Sequence, residues 1–239
     1  MIFRKGQIQY EDQENSFWIS YSDILSSLLI IILLITVYVI FELMQTKKNV
    51  TENLVEITKA EMVRQETLAD IQEALKRQGI VVEIADNFSV LRIPESTLTF
   101  NSNEFDITKN YSLALKKIGE VIIEVLLKED RKDFFDTIFV EGHTDIRPSR
   151  REMGNLGLST FRAISVWNYW ISNVTEEYQK IENLKGDKLF SVSGYGSSRP
   201  AIEKQVTEED FRKNRRIDIR FTIRKPTSVE FNNLMKLFQ

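Results

Sequence analysis

The dominant feature of the hydrophobic pattern is an apolar run near the N-terminus. Residues 24–41 have the sequence ILSSLLIIILLITVYVIF and carry no charge. As a helix, residues 17–41 would be ~37 Å long at about 1.5 Å per residue, enough to cross a hydrocarbon layer of ~30 Å. The mixed charges before this run differ from those of a cleaved signal peptide. We therefore predict a retained transmembrane helix over residues 17–43, preceded by a short N-terminal segment, residues 1–16.

A charged linker, residues 44–79, follows the predicted span and contains neither Pro nor Gly before Gly79. Its apolar residues recur at alternating spacings of three and four, which predicts a continued helix that Gly79 ends. Lys47, Glu61 and Arg64 interrupt the heptad pattern. Two interpretations stay open for this helix, a self-associating coiled coil and a solvated single helix.

The remaining chain alternates between strand-like and helical patterns. Two β-branched runs, 80–84 and 88–93, flank a polar turn and predict a hairpin that Pro94 closes. Further on, the pattern predicts helices over 108–129 and 155–172, and strands over 137–141, 189–193 and 216–224. This order predicts an α+β domain over residues 80–225, with helices packed on one mixed sheet. The tail, residues 226–239, is weakly amphipathic, and the sequence assigns it no role.

Composition narrows the classes of function. The net charge of −3 lacks the basic field that nonspecific nucleic-acid binding requires, so we expect no nucleic-acid partner. The absence of Cys excludes disulfides and thiolate metal sites, and a single His excludes a multi-histidine metal site. No set of residues is spaced like a catalytic constellation, so we expect neither an enzyme nor a resident cofactor.

One acid, Asp23, interrupts the predicted span. Helical spacing places Ser20, Asp23, Ser26 and Ser27 on one polar stripe. An acid within an apolar helix is costly and usually marks an ion path. The alternative is that Asp23 lies at the interfacial end of the span, in water among the lipid headgroups. The stripe predicts a carrier of H⁺ or Na⁺.

The segment around Asp23, FWISYSDIL at residues 17–25, resembles the W-x-x-[ST]-Y-A-D-[FL]-[MI] motif of MotB-type stator subunits of ion-driven rotary motors. The resemblance implies that Asp23 is the ion-carrying acid. It also implies a homodimer within a larger complex, surrounded by a ring of MotA/ZorA-like membrane subunits. The segment FWISYSDI is more similar to the ZorB subunits of Zorya antiphage defence systems than to flagellar MotB.

A second resemblance covers the C-terminal domain. The segment GHTDIRPSRREMGNLGLSTFRA resembles the G-H-T-D…N-x-x-L-S-x-x-R-A motif of OmpA-like peptidoglycan-binding domains, and SVSGYGSSRP and NRRIDI match later family motifs. The resemblance implies an OmpA-like α/β sandwich in which Asp145 and Arg162 contact diaminopimelate, while Asn155 and Leu158 line the pocket. The chemistry is reasonable, because this zwitterion needs an anion for its ammonium group and a cation for its carboxylate.

Several residues near this motif admit more than one interpretation. Asp145 and Arg162 could instead form an internal salt bridge. The loop between them is roughly two residues longer than in the family, and we expect its arginines, Arg147, Arg150 and Arg151, to be solvated rather than to contact the wall.

Three further side chains lie in or beside these motifs. His143, the only histidine, is expected to form hydrogen bonds within the fold rather than to catalyse a reaction. Arg215 and Arg216 are expected to serve the fold, with ligand contact as the alternative.

Two features of the sequence predict opposite orientations of the chain in the membrane. More Lys and Arg residues follow the span than precede it, which favours a cytoplasmic C-terminal domain. A peptidoglycan-binding domain must instead be periplasmic, and we adopt that orientation. We therefore expect a single-pass protein of the bacterial inner membrane that acts as a peptidoglycan-anchored stator-type subunit, most similar to ZorB. A flagellar MotB-type subunit and a passive membrane-to-wall anchor are the alternatives.

Overall fold

The chain contains one long helix followed by an α+β domain. A computed structural model describes residues 5–224, apart from the side chains of residues 5–17, 49, 52 and 53. Residues 1–4 and the predicted tail, 226–239, lie outside the described residues. Helix α1 (Lys5–Arg77) belongs to two compact units, because the first unit ends at Leu54 and the second covers Val55–Pro226.

The first unit contains the apolar part of α1. Within it, Trp18–Lys48 is long and apolar enough to cross a membrane, and its most apolar 18-residue window has a mean hydropathy of 3.0. None of that window is buried inside the structure. This segment overlaps the predicted span at 17–43, which stays a prediction.

The second unit contains one five-stranded mixed sheet in the order β1-β2-β5-β3-β4. Only β3 and β4 pair in parallel; the other neighbours are antiparallel. This confirms the predicted α+β class and the opening hairpin. The strands are β1 (Glu83–Ala85), β2 (Val90–Pro94), β3 (Phe135–His143), β4 (Phe190–Gly196) and β5 (Arg216–Ile223). The helices after α1 are α2 (Lys109–Leu127), a 3₁₀ segment (Lys128–Phe134), α3 (Gly154–Asn173), α4 (Glu177–Lys180) and α5 (Glu208–Asn214).

The sheet has two chemically different faces, because successive side chains of a strand point to opposite sides. In β3 and β5 one face is apolar and contributes Ile138, Val140, Ile217 and Ile219 to the core. The other face carries charged residues that are buried or half-buried. Its hydrogen-bonded ion pairs are Arg92 with Asp218, Arg216 with Asp218, and Arg220 with Glu141.

The second half of the predicted linker belongs to this core. Leu68, Ile71 and Leu75 of α1 are fully buried, and Asp70 forms an ion pair with Arg131 at 2.7 Å. The helix ends before Gly79, which has a φ of +72°, as the sequence predicts. Neither linker interpretation describes this part of α1, since it packs against its own domain. The predicted domain boundary at residue 80 therefore omits part of the core.

Close contact between α3 and the sheet positions the site. A Cβ at Gly142 would lie 2.0 Å from the carbonyl oxygen of Ser159, and one at Gly194 would lie 2.1 Å from Oγ1 of Thr160. Only glycine allows the helix to approach β3 and β4 this closely. As a result, the start of α3 lies directly beside the end of β3.

Candidate ligand-binding site

A cavity of about 460 Å³ lies where β3 ends and α3 begins. All four residues that the sequence assigns to the pocket line it: Asp145, Asn155, Leu158 and Arg162. Five further lining residues matter for its chemistry: Glu95, Thr144, Arg147, Glu208 and Arg215. The cavity has the size of a small-molecule site.

Arg162 is a buried cation that interacts with backbone carbonyl groups. It is 6% exposed, and its guanidinium donates hydrogen bonds to the carbonyl oxygens of Glu104 (2.9 Å) and Asn101 (3.2 Å). Among the described residues, no carboxylate lies within ion-pair distance of it. Burial lowers the pKa of Arg162 to about 10. A buried, unpaired guanidinium is a favourable site for a ligand carboxylate, which it can bind through two parallel hydrogen bonds.

Asp145 is paired, but not with Arg162, so the internal salt bridge between these two residues is not formed. Its Oδ2 accepts hydrogen bonds from Nη2 (2.6 Å) and Nε (3.1 Å) of Arg147 and from Nη1 of Arg215 (2.7 Å). Its Oδ1 accepts from the backbone N–H of Arg147 at 2.9 Å. Burial alone raises the pKa of Asp145, but these hydrogen bonds outweigh burial and hold the pKa below its ordinary value.

Arg215 joins three acids at the edge of the cavity. Besides Asp145, it donates to both carboxylate oxygens of Glu95 (2.5 and 2.7 Å) and to Glu208 (2.7 Å). Burial lowers the pKa of Arg215, but the hydrogen bonds that it donates to these carboxylates raise the pKa above its ordinary value overall. Arg215 thus supports the fold and also lines the cavity. Arg216 is buried beneath the sheet, where it donates to Asp218 at 2.9 Å, so it serves the fold as expected.

The extended loop is more ordered than the sequence predicts. Arg147 pairs with Asp145 and with Glu208 (3.1 Å), and Nε of Arg151 donates to the carbonyl oxygen of Asn103 at 2.5 Å. Arg147 and Arg151 are exposed to solvent, as predicted, but they also form these contacts because neighbouring segments supply acceptors. Arg150 is exposed, as predicted.

Asn155 holds this loop against the start of α3. Its Oδ1 accepts from the backbone N–H of Ser149 (2.8 Å), and its Nδ2 donates to the carbonyl oxygen of Arg147 (3.0 Å). In this structure its amide therefore shapes the cavity through backbone contacts.

Two buried polar side chains beside the cavity lack partners. His143 is 1% exposed and stacks on Tyr195, and neither of its ring nitrogens forms a hydrogen bond. Its Nε2 lies 3.6 Å from Asp218 and 3.9 Å from Glu141, so the ring interacts with acids of the fold. Burial lowers the pKa of His143 below 6.5. The hydroxyl of Thr144, which lines the cavity, also has no partner.

The polar stripe lies in the first unit, on α1. All four residues of the stripe, Ser20, Asp23, Ser26 and Ser27, are exposed in the described chain. The hydroxyl of Ser27 donates to the backbone carbonyl of Asp23 at 2.7 Å, as is common for serine in a helix. The ion-carrying role of the stripe stays a prediction.

Comparison with known proteins identifies the family that the C-terminal domain resembles. Residues 99–215 match the model of the OmpA family, so this part of the chain is an OmpA-like domain. The crystal structure of a putative MotB like protein from Desulfovibrio vulgaris has the same fold, with a TM-score of 0.53 at 16% identity over 70% of this chain and 99% of that chain.

Two curated relatives match most of the chain, and both have the same name. Two proteins from different strains of Escherichia coli, both called Zorya protein ZorB, are 23% identical over 219 residues and 24% identical over 220 residues. Each match covers 88% of this chain, and the matches cover 89% and 81% of the relatives. The chain is therefore similar to ZorB over most of its length, and its C-terminal domain is OmpA-like with the fold of the MotB-like protein.

Proposed function

We propose that this chain is a peptidoglycan-anchored, stator-type subunit of an ion-driven motor in the bacterial inner membrane. The observation that carries the proposal is Arg162, a buried guanidinium without an acidic partner that lines an open cavity in an OmpA-like domain. The similarity to ZorB over most of the chain favours a Zorya-type complex over a flagellar motor.

The proposed ligand is the peptide stem of peptidoglycan, through its diaminopimelate residue. The ligand carboxylate would bind Arg162, and the unpartnered hydroxyl of Thr144 offers a further hydrogen bond in the same cavity. Carboxylate binding would neutralise a charge that is otherwise buried without compensation, which is why this class of ligand suits the site.

The proposed membrane function rests on Asp23. An acid on an apolar helix needs a protein or water environment within the bilayer. A MotA/ZorA-like ring around two copies of this helix would supply that environment and allow H⁺ or Na⁺ to bind and leave. The wall lies outside the inner membrane, so the OmpA-like domain would be periplasmic. Anchoring would prevent the complex from turning freely while the motor generates torque.

Retention on the cell wall tests the binding site. We expect the full chain in detergent to sediment with purified sacculi and Arg162→Gln to lose most of this retention, because glutamine keeps an N–H donor but removes the charge. Arg150→Ala removes the same charge from the exposed loop and should bind like the wild type. Circular dichroism would establish that the wild type and Arg162→Gln are both folded. Equal sedimentation of the two folded proteins would then contradict the assignment of Arg162 to the binding site.

Replacement of Asp23 tests the motor. Asp23→Asn keeps the size of the side chain but cannot release a proton, so we expect loss of phage protection, or of motility in a flagellar system, with normal membrane insertion and sacculus binding. Asp23→Glu keeps a carboxyl group and should retain part of the activity. Full activity of Asp23→Asn would instead favour the passive anchor.

A further inference from the structure

The carboxylate expected to receive the ligand's ammonium group already has cationic partners. Asp145 accepts four hydrogen bonds, three from Arg147 and one from Arg215. Three of the four, all from guanidinium groups, end on Oδ2, which offers only two lone pairs. A ligand ammonium group can therefore bind Oδ2 of Asp145 only if one of these guanidinium donors leaves.

The two arginines differ in how firmly they are held. The side chain of Arg215 is 18% exposed and is also bonded to Glu95 and Glu208. The side chain of Arg147 is 50% exposed and extends from the loop over the cavity. Removal of Arg215 would leave the nearly buried Glu95 without its closest cation, whereas removal of Arg147 leaves Arg215 in place. Arg147 is thus the donor that can be exchanged.

A displaced Arg147 would still have partners. Its Nη1 donates to Glu208 at 3.1 Å, and its guanidinium carbon lies 4.3 Å from the ring centroid of Phe211. Both Glu208 and Phe211 belong to α5, and the nitrogen that donates to Glu208, Nη1, is not one of the two that donate to Asp145. The side chain can therefore release Asp145 without giving up every ionic contact.

We propose that Arg147 occupies the position of the ligand's ammonium group and must be exchanged for it, so that Arg147 competes with a zwitterionic ligand for Asp145. This inference rests on the proposed function, since it concerns the same ligand. Exchange of one cation for another keeps Asp145 compensated. A ligand that carries carboxylates but no ammonium group does not compete for Asp145, so its affinity should not depend on this exchange.

Calorimetric titration of the full chain in detergent tests this exchange with two probes, meso-diaminopimelate and pimelate, which share both carboxylates and differ in the ammonium groups. Arg147→Ala and Arg147→Met should each bind diaminopimelate more tightly than the wild type, by up to about fivefold, because a half-exposed ion pair no longer competes. Both substitutions remove the charge, but only alanine also removes most of the side-chain volume, so the pair distinguishes the effect of the lost charge from that of the added space in the cavity. Neither variant should gain affinity for pimelate.

Arg150→Ala is the matched control, because it removes one charge from the same loop without touching Asp145, and its affinity for diaminopimelate should not rise. Weaker or unchanged binding of diaminopimelate by both Arg147 variants would overturn the inference, since Arg147 would then contact the ligand or stay in place. If Arg162→Gln abolishes binding in the same series, the proposed function stands even when the inference fails. Failure of the wild type and of both Arg147 variants to bind would overturn both.

Discussion

Ile71 of α1 provides a direct test of where the folded domain begins. Its side chain is fully buried, between Leu68 and Leu75, which are also fully buried. Shortening a buried isoleucine to alanine costs about 2–5 kcal/mol, whereas domains are stable by only about 5–15 kcal/mol in total. We therefore expect Ile71→Ala to lower the free energy of unfolding by about 2–5 kcal/mol.

Met62→Ala is the matched control on the same helix, because Met62 is 57% exposed and should change stability by at most about 0.5 kcal/mol. Urea unfolding of the full chain in detergent measures both variants through the fluorescence of Trp167 and Trp170 in α3, in a Trp18→Phe background. Equal stability of Ile71→Ala and Met62→Ala would refute the placement of α1 in the core.

The same reasoning applies to fragments. Loss of Leu68, Ile71 and Leu75 together removes about 5–9 kcal/mol of apolar burial, at about 1.5–3 kcal/mol for each side chain. A fragment of residues 80–239 should therefore be unfolded or nearly so, while one of residues 55–239 should unfold cooperatively. Cooperative unfolding of both fragments at the same urea concentration would contradict this estimate.

Two more predictions concern residues beside the cavity. The pKa of His143 is lowered by burial, so the unfolded state binds its proton first, and stability is full above pH about 6.5 and falls as pH drops below it. His143→Gln should flatten the change in Tm between pH 7.5 and pH 5, and an unchanged slope would exclude His143 as its source. Gly142→Ala places a Cβ 2.0 Å from a backbone oxygen of α3 and should cost about 1–3 kcal/mol and weaken sacculus retention. Gly186→Ala meets no atom within 4 Å; its φ of +84° strains the backbone and should lower stability, but the variant should retain wild-type binding.

Local patterns predicted most of the elements. The amphipathic stripe over 108–129 and the helix over 155–172 correspond to α2 and α3 within about two residues, and the β-branched runs correspond to the sheet strands. These assignments succeed because a helix or strand imprints its own period on the sequence. The same pattern did not reveal what covers α1, since an apolar stripe looks alike whether it meets a second helix or its own domain.

The candidate site was only partly predictable. The motif placed Asp145 and Arg162 in one pocket, and the structure brings both to the same cavity. Their partners came from elsewhere: Arg215 lies 70 residues from Asp145 and 120 residues from Glu95 along the chain. No local period connects such residues, although the NRRIDI motif marked Arg215 as a candidate.

The amino-acid sequence by itself determined the apolar helix with its acid, the α+β class and the residues of the binding motif, because each of these depends on spacing along the chain. Tertiary structure decided that α1 completes the core, that Arg162 has no acidic partner among the described residues and that Asp145 is held by Arg147 and Arg215. These features depend on strand order and on the close packing of α3 against β3. Both bring distant residues to within hydrogen-bond distance, where burial and charge decide which groups pair.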